Sequence, residues 1–146
     1  MLQNYKKATL GGILLWVLIF VVWSIIIFLP PFKNGANLMW QFIIHYVMLV
    51  LFVWIVATMY LKKVKASAKE GLLYGIYLLV VGSILDAIIT VPLFIDGDYL
   101  GYFGNWQMWI GYIEVLVFST IFGMMFAETP PLEKKENENE NHNGII

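Results

Sequence analysis

Cysteine is missing from this 146-residue chain, which excludes disulfides, thiolate metal sites and cysteine nucleophiles. Arginine is missing as well, so all nine basic residues are lysines, and no functional inference follows from that choice. Charge of either sign is scarce: 13% of the residues are charged and the formal net charge is −1. No P-loop, Rossmann fingerprint, nucleophile elbow, H-E-x-x-H zinc motif or nucleic-acid motif is present. No repeat of solenoid length is visible. These absences remove nucleotide-dependent chemistry, covalent catalysis through a known motif and nucleic-acid partners from the expected functions.

Apolar residues are what the chain has in quantity. They make up 60% of the sequence, and the mean hydropathy of +0.76 is too high for an ordinary soluble domain. The expected fold is all-α: a polytopic membrane protein built as a four-helix antiparallel transmembrane bundle within residues 1–129. Its spans fall at about 8–29, 38–61, 71–95 and 107–127, each long enough to cross a bilayer. The first exceeds a typical signal-peptide core and lacks a small-residue cleavage site, so it is expected to remain in the mature protein. Pro30-Pro31 ends it, because proline has no amide donor and restricts the residue before it. A second proline pair, Pro130-Pro131, separates the bundle from residues 130–146, whose Glu, Asn and Lys have little to bury and read as a disordered polar tail. His142 in that tail reads as merely solvated.

Lysines indicate the orientation. The N-terminus, the middle loop and the tail hold Lys6, Lys7, Lys62, Lys63, Lys65, Lys69, Lys134 and Lys135, whereas the other side holds only Lys33. Short cytoplasmic loops carry the excess of positive charge, so both termini are expected in the cytoplasm of a cell-membrane protein. Tyr99, Tyr102, Trp106 and Trp109 then sit at the outer interface, where amphipathic rings collect. Asp96 and Asp98 flank the outer mouth. The stretch DGDYLG begins like a calcium loop, but Leu100 stands where that motif needs an oxygen ligand and Gln107 where it needs a bidentate Glu, so it reads as a turn whose acids draw cations.

Three ionisable residues interrupt the spans: His45, Asp86 and Glu114. A charge at the bilayer centre costs about 3 kcal/mol on insertion scales, so such residues face protein or water and often mark function. Counted at about 1.5 Å per residue, all three lie roughly 10 to 14 Å below the outer boundary, and Ser24 of the first span lies a little higher. Helical phase gives each of them polar or small company. Gln41 shares a side with His45, Gln107 with Glu114, and Ser83, Thr90 and glycines 71, 75 and 82 with Asp86. The glycine side reads as a packing seam, since small residues let helices approach closely. Ser119, Gly123 and Ala127 form a second such row, for another helix, another copy of the chain or a partner membrane protein. Trp16 and Trp23, seven apart on one side, read as packing or lipid contacts.

Two interpretations follow. In one, His45, Asp86 and Glu114 hydrogen-bond one another and fix helix register. In the other they line a polar site in the outer half that binds or conducts a proton, a cation or an amine-bearing small molecule, with Asp86 and Glu114 as a coupled pair and His45 between them. The donor set also suits a divalent metal, although no local ligand motif accompanies it. No cofactor is expected. A non-catalytic accessory or structural subunit is the alternative role, and a membrane-embedded enzyme acting on a lipid has the weakest support, since acids and bases are present without a nucleophile. In outline alone the bundle resembles the four-helix sterol-isomerase group with its buried carboxylates, an analogy of architecture from which no activity follows.

The topology is testable with reporter fusions at Lys33, Lys65, Asp98 and the C-terminus. Lys65 and C-terminal fusions are expected to report cytoplasm, and Lys33 and Asp98 fusions the outside. An external Lys65 would reverse the depth argument and turn the Asp86 level toward the cytoplasm.

Overall fold

Four helices long and apolar enough to cross a membrane make this an all-α, multi-pass membrane protein. The computed structural model describes residues 2–28 and 38–128. The Pro30-Pro31 stop, the loop with Lys33, and the tail with Pro130-Pro131, Lys134, Lys135 and His142 lie outside those residues.

Helix α1, Tyr5–Phe28, starts three residues before the charge-free run because Asn4 caps it, its Oδ1 accepting from the Lys7 N–H at 3.1 Å. Helix α2 is Leu38–Leu61. Helix α3, Ala68–Leu85, also starts earlier than the hydropathy indicates. Ser67 caps it by accepting from the Glu70 N–H at 3.1 Å, the first half of a Ser-x-x-Glu capping box. The rod continues through a π-helical turn, Asp86–Thr90, into α4, Val91–Phe94. A short α5, Tyr99–Phe103, leads to α6, Trp106–Ala127.

Pro92 explains the π turn. A proline inside a helix lacks the N–H and its ring collides with the carbonyl four residues back, here that of Ile88. The turn before it widens, and the Val91 N–H reaches back five residues to the Asp86 carbonyl. The Ala87 carbonyl is then left without a donor at either helical spacing, because Val91 is engaged and Pro92 has none. Tyr99 supplies one, its hydroxyl donating to Ala87 O at 3.1 Å. The connector after α4 is thereby tied to the widened turn. It reverses through Asp96 at φ 49° and Gly97 at φ 77°, the left-handed conformations a tight helix exit requires.

Consecutive spans are antiparallel, as expected, but the loop from α2 to α3 crosses the bundle diagonal. Neighbours around the bundle therefore run α1, α2, α6, α3. One small-residue row meets the other between α3 and α6. A Cβ added at Gly71 would lie 2.3 Å from the Ser119 carbonyl oxygen, one at Gly75 would lie 2.1 Å from Ser119 Oγ, and one at Gly123 would lie 2.4 Å from the Ser67 carbonyl oxygen. The Ser119 and Gly123 face is thus used inside the chain, and Ala127 at its end is exposed.

The half of the bundle nearest the lysine loop is solid. Val53, Val56, Ala57, Tyr60, Tyr74 and Leu78 are at most 1% exposed. The Tyr60 and Tyr74 rings stack in parallel at 4.3 Å, and the Tyr74 hydroxyl donates to the Val56 carbonyl at 3.1 Å. Glu70, buried beside them, accepts from the Tyr60 hydroxyl and from the Gln3 N–H. Gln3 also exchanges two hydrogen bonds with the Lys65 backbone, at 2.9 and 3.0 Å, so the N-terminal segment is stitched to the lysine loop.

Gly71→Ala and Gly123→Ala force a methyl group into opposing backbone, and each is expected to destabilise by about 1–3 kcal/mol. Gly82→Ala meets nothing within 4 Å and is expected to be neutral or slightly stabilising. Unfolding of the three variants in a fixed detergent, read against wild type, checks the contrast.

Candidate ligand cavity

The glycine stripe of α3 changes character along its length. Near the lysine loop Gly71 and Gly75 bring backbones together; nearer the connector, Gly82, Ser83, Asp86 and Thr90 face a cavity of about 460 Å³. Gly82 has no neighbour where a side chain would begin, so it contributes open space instead of contact. All four long helices wall the cavity, which lies in the half of the bundle carrying the 95–105 connector.

Among the described residues Asp86 is the only carboxylate that lines the cavity. Its Oδ1 accepts two hydrogen bonds, from the Trp16 indole N–H at 2.9 Å and from the Thr90 hydroxyl at 2.7 Å. Thr90 lies four residues on, within the π turn. Tyr102, delivered by α5, faces the same carboxylate; burial first, and the Asp86 charge second, push its phenol well above the ordinary range. It therefore stays protonated, a donor toward Asp86. Ser83 is paired with the Tyr112 hydroxyl at 2.9 Å. The Trp16 and Phe20 rings stack at 5.3 Å, and Phe94 packs edge-on to Phe20 at 5.2 Å.

His45 lines the same cavity from α2. Its neighbours are rings, Trp23 at 5.0 Å and Tyr46 at 5.5 Å between centroids. The supporting polar residues divide. Ser24 lines the cavity while its hydroxyl donates to the Phe20 carbonyl at 2.8 Å. Gln107 also lines it, and its carbonyl accepts from the Tyr46 hydroxyl at 3.2 Å. Gln41 is buried at the start of α2, outside the lining.

The bundle brings His45 and Asp86 to one cavity and leaves Glu114 out of it. Gly111 faces the cavity, and a residue three positions later on a helix is rotated by about 60°. That rotation carries Glu114 toward the α2 flank of α6, next to the exposed stripe Ile110, Ile113, Val117 and Ile121. Equal depth does not establish a common azimuth: Asp86 holds two neutral donors, Trp16 and Thr90, with Tyr102 facing it, and Glu114 is not among the lining residues. Asp96 and Asp98 are exposed and lie off the lining. Asp98 caps α5 by accepting from the Gly101 N–H at 2.9 Å. Among the described residues no group of three or more His, Asp or Glu side chains is placed to hold a metal ion.

No family model, curated protein or solved structure matches this chain. Its chemistry is therefore read from the cavity alone. Two wall residues were not singled out by sequence pattern as partners of the acid, Trp16 and Tyr102, nor was Tyr112 as the partner of Ser83. For Trp16 a signal existed, since an indole N–H inside a membrane span needs an acceptor and Asp86 offers one at a compatible depth.

Trp16→Phe keeps the ring and removes the donor. Hydrogen bonds to charged groups are worth about 1.5–3 kcal/mol, and a loss of that size is expected in wild type. In an Asp86→Asn background the same change is expected to cost much less. A double-mutant cycle on unfolding measures the difference, and equal costs in both backgrounds would break the proposed dependence.

Proposed function

We propose that this protein binds a small cationic or protonatable ligand in the 460 Å³ cavity, with Asp86 as its anionic contact. The observation behind this reading is a lone carboxylate on the wall of a large cavity, held in place by neutral donors. A carboxylate in a span is expensive unless something compensates its charge. The Trp16 indole and the Thr90 hydroxyl offset part of that cost by hydrogen bonding, and the Tyr102 phenol faces the same carboxylate. A bound cation would complete the compensation.

Binding is favoured over free conduction by what lies below. The stacked Tyr60 and Tyr74, with Val53, Val56 and Leu78, fill the lysine-side half, so passage across the bundle requires those residues to repack. The lysine distribution supports cytoplasmic termini in a cell membrane, which would make the cavity an outer-half site. As an accessory subunit docking through Ser119 and Gly123, the chain would have to present a face that is packed against α3.

A ligand bound only by the folded protein stabilises it by about 2.7 kcal/mol at a hundredfold excess over its Kd. Purified protein titrated with sodium, potassium, magnesium, ethanolamine and tetramethylammonium is expected to gain thermal stability with at least one of them. Asp86→Asn is expected to abolish the gain, whereas Glu114→Gln retains it. A shift that persists in Asp86→Asn would refute the assignment.

A further inference from the structure

We infer that the cavity is shaped for an organic cation whose nitrogen carries no hydrogen-bond donors, an N-methylated or quaternary ammonium on a compact apolar body; this rests on the reading of Asp86 as the anionic contact.

Volume excludes the smallest candidates. About 460 Å³ is many times the roughly 30 Å³ that one water occupies in the liquid, and it falls within the range of organic-ligand sites. A hard divalent cation needs about six oxygen ligands, commonly several of them carboxylate oxygens, whereas the lining offers one carboxylate and otherwise neutral hydroxyls and amides. Among the described residues Asp86 has no ion pair.

The chemistry around Asp86 then separates the organic cations. An ammonium with three N–H groups needs three acceptors, whereas beside Asp86 the Trp16 indole can only donate and the acceptors left are the carboxylate and the lone pairs of the Thr90 hydroxyl and the Tyr102 phenol that faces it. A primary amine would have to share those few acceptors in a lining that is mostly apolar and aromatic. A quaternary ammonium makes no such demand and is recognised by charge and by the faces of aromatic rings. Those rings are present. Trp16, Phe20, Trp23, Phe94, Tyr102 and Tyr112 all line the cavity. The bond that holds Asp86 also fixes the Trp16 indole beside it, so a cation drawn to the carboxylate meets a ring already in place.

Equilibrium binding of benzyltrimethylammonium to the purified full-length protein, followed by tryptophan fluorescence and calorimetry, tests the assignment against benzylamine and the uncharged isostere neopentylbenzene. Benzyltrimethylammonium is expected to bind at least tenfold more tightly than either. Asp86→Asn is expected to weaken it tenfold or more, and Trp23→Leu, remote from the carboxylate, about three- to thirty-fold. Circular dichroism and gel filtration establish that each variant is folded, and the comparison of the three ligands on wild type needs no variant. Benzylamine binding as tightly as benzyltrimethylammonium, with the same dependence on Asp86, would overturn the quaternary class and leave Asp86 as the anionic contact. Absence of Asp86-dependent binding by any cation would overturn both.

Discussion

The cavity half of this bundle is organised by the carboxylate of Asp86, placed inside a membrane span with no basic partner beside it among the described residues. The bilayer offers no water, and isolated charge there costs several kcal/mol or a shift to the neutral form. The chain meets the demand with uncharged donors drawn from three places in sequence: Trp16 from α1, Thr90 from the next turn of the same rod, and Tyr102 from the connector. Each contact also has a structural consequence. Trp16 ties α1 to the third span, Thr90 reaches the acid from the far end of the widened turn, and Tyr102 brings the α5 segment to face it. Pro92 belongs to the same device, because the π turn it imposes spans Asp86 to Thr90 and leaves a carbonyl that Tyr99 then satisfies.

Stability and site are separated along one helix face. Toward the lysine loop, Gly71 and Gly75 allow α3 to lie against Ser119 and Gly123 at backbone contact, which is how helices gain dispersion energy in a solvent as apolar as themselves. The aromatic and aliphatic packing around Tyr60 and Tyr74 belongs to this half, together with buried Glu70. Toward the connector, the same face continues with Gly82 and opens into the cavity. A rigid half thus supports a half with unfilled volume. This is the distribution expected where part of the molecule is reserved for a ligand.

Sequence alone revealed the parts of this arrangement that depend on one helix at a time. Four spans follow from hydropathy and length, and the inward turn of Asp86 follows from the cost of exposing it to lipid. Helix starts at Tyr5 and Ala68 were set by Asn4 and Ser67, capping signals that hydropathy overlooks. What could not be read was anything depending on neighbour order. The diagonal α2–α3 connection decides that Trp16 reaches Asp86 and that the two small-residue rows meet each other. Glu114 shares the depth of Asp86 but not its azimuth, so a pairing inferred from depth did not form in the bundle. Glu70 ends a lysine-rich stretch of the sequence, yet a buried tyrosine hydroxyl and the Gln3 amide claim it.

Because the chain has no cysteine, single introduced thiols report accessibility without background. The central claim is that Asp86 governs a cavity reachable by cations in one half of the bundle only. Gly82→Cys, placed where nothing lies within 4 Å, is predicted to react faster with a trimethylammonium-bearing methanethiosulfonate than with a neutral reagent of similar size. Adding Asp86→Asn should erase that preference, and Val56→Cys in the packed half should remain unreactive. A Gly82→Cys thiol as inert as Val56→Cys, or one indifferent to reagent charge, would contradict the account.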